Sequence, residues 1–239
     1  MDNGLISSIN PENKDTWENK IFLTFDIDWA HDEVIEDTLD LLSNYKVPGT
    51  FFATHDSTIM KRIIDQKFHE IGIHPNFNDL LNDNTCDLTA EYKITELLEL
   101  FPSAKSMRSH STTWSSIVQE LILKYNLTHE SNTFIPWQSS IDLKPWNLWN
   151  GLVRVPYFWE DDVAILFNES NTFLKKLYHK GLKVFDFHPI HIFLNTNSLD
   201  IYERTRSIHQ NPKELIKYRF HGYGTRSRLI DILESFQLS

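Results

Sequence analysis

Four stretches of this 239-residue chain gather side chains able to do acid–base or metal chemistry. The first is TFDID, residues 24–28. If it ends a strand, Asp26 and Asp28 point the same way, because strand side chains alternate. Two such close carboxylates are costly unless a cation or a proton separates them. The second is HEIGIHPNFND, residues 69–79. His74 and Asn78 are four residues apart, the spacing that sets two ligand-capable groups on one side of a helical turn. The third is MRSHS, which offers Arg108 and His110, and the fourth is FDFHPIHIF, which offers Asp186, His188 and His191. Each has a plainer explanation: a solvated strand end, a core histidine, a structural salt bridge. Their arrival in this order is what points to a site.

The elements that must position them alternate along the chain. Short β-rich runs at 21–25 (compact and apolar), 49–53, 70–73, 104–109, 127–130, 152–155 and 184–187 predict strands. Between them, helical spacing occurs around Val34–Leu42, Ile59–Ile64, Ile94–Phe101, Trp114–Tyr125, Asn171–Lys180 and Leu229–Phe236. Alternating strands and helices imply parallel strands joined by right-handed crossovers. With no G-x-G-x-x-G or G-x-x-x-x-G-K-[ST] in the chain, a barrel is favoured over a doubly wound sheet. All four chemical stretches then fall at the C-terminal ends of strands, where barrels place their chemistry. The polar lead-in, 1–20, reads as an arm, and 21–239 as one barrel domain.

Composition narrows the function. The chain is 41% hydrophobic with a formal net charge of −10, which argues for a globular protein and against nucleic-acid binding. No run approaches the roughly 18 apolar residues of a membrane span. The single cysteine, Cys86, cannot form an internal disulfide, and the first residues lack a basic start followed by an apolar run. A cytoplasmic location is expected. The 16 Phe, 8 Tyr and 7 Trp can fill a core or line a cleft for sugar rings.

Taken together, TFDID, the T-F-F of residues 50–52, H-E-I-G followed by His74 to Asn78, Arg108, Trp159-Glu160-Asp161 and the strand ending at His188 resemble the polysaccharide deacetylase family (NodB-homology, carbohydrate esterase family 4). The resemblance spans roughly residues 21–195 and looks closest to the WbmS-like branch, which is linked to surface-polysaccharide gene clusters. It implies an α/β fold, a distorted (β/α)7 barrel in a single domain, and hydrolytic removal of an acetyl group from an N- or O-acetylated sugar. It also implies one divalent metal ion, Zn2+ before other first-row ions, held by Asp28, His74 and Asn78. Asp26 would be the base, Arg108 would hold Asp26 charged and in place, and His188 would be the acid. Asp186 or Asp161 would orient His188. Trp159, Tyr157, His55, His110 and His191 are the expected substrate contacts, with Trp146 and Trp149 as further ring-stacking candidates.

Three departures stand out: Ile27 separates the two acids, Asn78 replaces a second histidine, and His110 and Ser111 stand where the arginine motif carries Pro and an aromatic. A carboxamide is a weaker ligand than imidazole, so looser metal binding is expected. The substrate would be an acetylated sugar, nucleotide- or lipid-linked. Two other functions fit the residues: hydrolysis of a small non-sugar amide on the same barrel, and non-catalytic carbohydrate binding. Oligomeric state is not legible.

Overall fold

The computed structural model describes residues 2–82, 89–167 and 173–237. Cys86 and the start of the helical pattern at Asn171 lie outside the described residues. Ten strands form one sheet: β1 (Asp2–Gly4), β2 (Lys20–Asp26), β3 (Thr50–Ala53), β4 (Glu70–Ile73), β5 (Ser106–Met107), β6 (His129–Glu130), β7 (Trp146–Asn147), β8 (Val153–Arg154), β9 (Trp159–Glu160) and β10 (Lys183–Phe187). Their order is β7-β8-β6-β5-β4-β3-β2-β10-β9, with β1 added beside β2. Every pairing is parallel except β7 with β8. β8 pairs with β6, and β9, five residues further on, pairs with β10. Residues 153–160 thus act as one bent strand that joins the two ends of the curled sheet. Counted so, seven parallel strands surround the core in the distorted (β/α)7 barrel the sequence implied.

The central strands are buried on both faces, which explains their near-continuous apolar runs. The helix Asp32–Tyr45 covers one outer face with Val34, Ile35, Leu39 and Leu42, and ends where Lys46 turns left-handed. Aromatic rings knit the core: Phe25 stacks on Phe51 at 4.8 Å, and Trp159 packs against Phe187 at 4.8 Å and Phe173 at 5.1 Å.

A polar row crosses the barrel interior. Strand register sets Glu70 beside Thr50, Thr50 beside Thr24, Thr24 beside Asp186, and Asp186 beside Glu160. Two residues beyond Thr24 on the same face, Asp26 ends β2 above that row.

The lead-in is more than an arm. Asp2–Gly4 adds a strand, Ile6 is fully buried, and the Ser7 N–H donates to Glu70 at 3.0 Å. Several expected elements are shorter: 104–109 contributes only Ser106–Met107, and 173–178 is a 3-10 helix rather than an α-helix. In the stretch 104–109, sheet pairing runs only through Ser106 and Met107. No helix among the described residues is long and apolar enough to cross a membrane.

Candidate active site

The strand ends converge on a cavity of about 240 Å3 lined by Asp26, Asp28, His74, His110, Tyr157 and His188, among others. One side of it is an acid flanked by imidazoles. Asp28 Oδ1 lies 3.2 Å from His74 Nε2 and 3.0 Å from His110 Nδ1, and Asp28 Oδ2 lies 3.6 Å from His188 Nε2. One ligand atom each from Asp28, His74 and His110 fall within 4.8 Å of one another. Burial would raise the Asp28 carboxyl, but hydrogen bonds from His110 and His74 and the charge of His188 hold it well below the usual range. One carboxylate with two imidazoles is a donor set suited to a divalent first-row ion, with room left for water and substrate.

Asp28 reaches this place by a route that strand alternation does not describe. β2 ends at Asp26, and Asp28 and Trp29 are both left-handed, with φ of 40° and 56°. Ser111 and Thr112, just after His110, are left-handed too (φ 55° and 49°). Non-glycine residues in this region cost energy and cluster at functional sites. Both turns are tied down: the Ile27 N–H donates to Phe52 O at 3.3 Å, and the His110 N–H to Pro75 O at 3.0 Å.

Opposite stands a charge-paired acid. Arg108 Nη1 donates to Asp26 Oδ1 at 3.0 Å and to Thr24 Oγ1 at 2.9 Å, and also pairs with Asp186. Its Nε donates to Ser131 O at 3.0 Å, and its guanidinium lies between the rings of Phe52 (4.6 Å) and Tyr157 (4.3 Å). The site so clamped keeps Arg108 charged and fixes the Asp26 carboxylate. Burial pushes the Asp186 carboxyl up to about 7 against the pull of Arg108.

The third group is His188. Asp161 Oδ1 lies 2.8 Å from its Nδ1, and Asp161 Oδ2 accepts from its backbone N–H at 2.8 Å. Asp161, not Asp186, is therefore the acid that orients it, and Nε2 is left facing the cleft. Burial would lower the imidazole, but the charge and hydrogen bond of Asp161 outweigh it and raise His188 well above the usual histidine range. His188, Asp26 and Asp186 each offer an atom within 4.8 Å of the others.

The remaining expected residues divide. Tyr157 lines the cavity, and His191 and His188 meet edge to face at 5.7 Å. His55 lines a separate depression with Trp29 and His31. His110, expected as a substrate contact, stands with Asp28 and His74. Asn78, expected beside them, is not among the residues lining the cavity; its amide nitrogen donates to Ser111 Oγ at 3.2 Å. Trp159, expected as a sugar platform, is fully buried among Phe173, Phe185 and Phe187 and forms part of the core instead. Trp149 is exposed on a turn, and Trp146 lies near Arg154 at 5.8 Å. Glu160, named in the sequence only as part of the Trp159-Glu160-Asp161 motif, lines the cavity, and burial with the nearby Asp162 and Asp186 pushes its carboxyl up to about 9. Trp29, for which the sequence carried no expectation, stands beside the cavity with its ring edge meeting His110 at 5.3 Å. The only sequence signal for Trp29 is its adjacency to Asp28.

The family model of the WbmS-like polysaccharide deacetylases matches residues 23–206. The chain belongs to the WbmS-like polysaccharide deacetylases. Among solved structures it is similar to WbmS of Bordetella bronchiseptica, assigned as a polysaccharide deacetylase involved in O-antigen biosynthesis, with 39% identity over 98% of this chain and 97% of that one and a TM-score of 0.91. A family 4 carbohydrate esterase from Streptomyces lividans, in complex with acetate, is 12% identical over 91% of this chain and 88% of that one, with a TM-score of 0.48. Among curated proteins none matches.

Proposed function

We propose that this chain is a metal-dependent deacetylase of an N-acetylated sugar unit in surface-polysaccharide (O-antigen) synthesis. The observation that carries the reading is the placement of Arg108-paired Asp26 and Asp161-held His188 about one cavity that also contains Asp28, His74 and His110. Membership of the family and the likeness to the Bordetella protein support it.

Asp28, His74 and His110 would hold the ion, His110 in place of Asn78. An imidazole from the turn after β5 restores the second nitrogen ligand that the sequence lacks at residue 78. A divalent ion bound there supplies Lewis acidity, acidifying water and polarising the acetyl carbonyl. Asp26 accepts the proton of the attacking water as its oxygen bonds to the acetyl carbon, and Arg108 keeps the carboxylate aimed. His188 donates its Nε2 proton to the nitrogen as the C–N bond breaks, and Asp161 stabilises the imidazolium before transfer. Tyr157 and Phe134 wall the cavity against water.

Acetate release from N-acetylated glycans tests the reading. Asp26→Asn and His188→Ala should each lower kcat by about 10²–10⁴-fold while metal content and fold persist. Full turnover by either variant would overturn the role given to that residue. Turnover of simple amides in preference to every glycan would move the activity to a non-sugar amidase.

A further inference from the structure

The turn that delivers Asp28 also presents an indole. Trp29 is 42% exposed, although it is the residue next to a buried cluster of charge. It is held on both sides: its backbone N–H donates to Thr54 Oγ1 at 3.2 Å, and its carbonyl accepts from Gln210 Nε2 at 2.9 Å. Its ring is steadied by the edge contact with His110. A tryptophan at φ 56° is poorly suited to its backbone, where glycine would sit without strain. A large ring kept out in water on a strained turn calls for a reason other than packing.

Its surroundings supply one. Trp29 lines two depressions. One is a cavity of about 330 Å3 lined by Asp28, His188, Asp162, Tyr202 and Glu203 as well. The other is an open depression of about 480 Å3 that includes His31, Asp32 and His55. The first is floored by a row of rings, His191 to Tyr202 at 4.9 Å and Tyr202 to His209 at 4.8 Å. Apolar ring faces rimmed by carboxylate acceptors match a pyranose, which offers C–H faces to aromatic rings and O–H donors at its edge.

Resting on the deacetylase reading above, we propose that Trp29 is a stacking platform for a sugar ring next to the one being deacetylated. The ligand is then a glycan of at least two rings that passes over Trp29 from the His188 side toward His55. Carboxylates of Asp162 and Glu203 accept its hydroxyls, so a neutral, hydroxyl-rich unit fits here and a phosphorylated one does not.

The test is calorimetric titration of chelator-treated protein, in which no turnover occurs, with N-acetylated trisaccharides of the glucosamine and galactosamine series. Trp29→Gly should weaken binding by about tenfold or more, with Tm equal to or above that of the parent, because glycine relieves the turn. Trp29→Tyr should recover most of the affinity. In acetate-release assays the glycine variant should lose more in KM than in kcat. A Trp29→Gly variant that binds as tightly as the parent, or loses stability along with affinity, overturns the platform, and so does a tyrosine variant as weak as glycine. If the parent neither binds nor deacetylates any of these glycans, the sugar reading itself falls, and this inference with it.

Discussion

Glu70 and Asp26 are both buried acids in one barrel, yet their surroundings are opposite in kind. Glu70 opens β4 at the closed end. It accepts from Thr50 Oγ1 at 3.0 Å, Ser106 Oγ at 2.6 Å and the Ser7 N–H at 3.0 Å. All those donors are neutral. Asp26 closes β2 at the open end. One oxygen is fixed by Arg108, while the other lies 3.7 Å from His74 Nε2 and borders the cavity. A carboxylate whose acceptors are filled by neutral donors stitches strands together. One held by a cation on one oxygen and open to a cavity on the other is the arrangement that the proposed base requires. The difference lies in which end of the strand the acid occupies, as expected where chemistry gathers at C-terminal strand ends.

Substitution can break that contrast. Arg108→Ala should have the largest effect, because it strands Asp26 and Asp186 in the interior without their cation. A loss of about 3–5 kcal/mol is expected in denaturant unfolding, together with loss of acetate release. Glu70→Ala should cost about 1–3 kcal/mol, since it leaves hydroxyl and amide donors unsatisfied. Turnover per folded molecule should be unchanged. Equal loss of turnover in both variants would erase the distinction between the two ends.

A smaller effect sharpens the picture at the open end. Burial, with Asp162 and Asp186 nearby, raises the Glu160 carboxyl from 4.5 to about 9, and Tyr157 Oη donates to it at 3.4 Å. Its folded value lies above its unfolded one. The native state therefore keeps a proton that the unfolded chain releases, and stability falls as pH rises from about 4.5 to about 9. Glu160→Gln removes that dependence. Against the parent, its Tm should compare better at pH 8.5 than at pH 4.5, and thermal melts across that window check it. A constant difference in Tm would show that Glu160 is ionised in the folded protein.

Much of this was legible in the residues. β2 and β4 lie where the short runs 21–25 and 70–73 placed them, because central parallel strands are buried on both faces. Arg108 and His188 were readable because each stands at the end of a predicted strand. The other features depend on contacts between distant parts of the chain. The grouping of His110 with Asp28 requires that the turn after β5 cross the mouth of β2, and their separation of 82 residues hides it. Asp161 and Asp186 were equally placed to orient His188 until sheet register set Asp186 beside Thr24 and Arg108. Trp159 looked like a sugar platform because tryptophan serves both cores and clefts. Only the convergence of three Phe rings shows which role it has here. Trp29 escaped notice because residue type does not reveal a left-handed turn in which neither central residue is glycine or asparagine.

Asp28, His74 and His110 together are the proposed holders of one divalent ion. Crystals grown with Zn2+ and measured on either side of its absorption edge test that assignment most directly. A single anomalous peak is expected among those three side chains, lost in the His110→Ala variant and retained in Asn78→Ala. A peak coordinated by Asn78 and indifferent to His110 would contradict it.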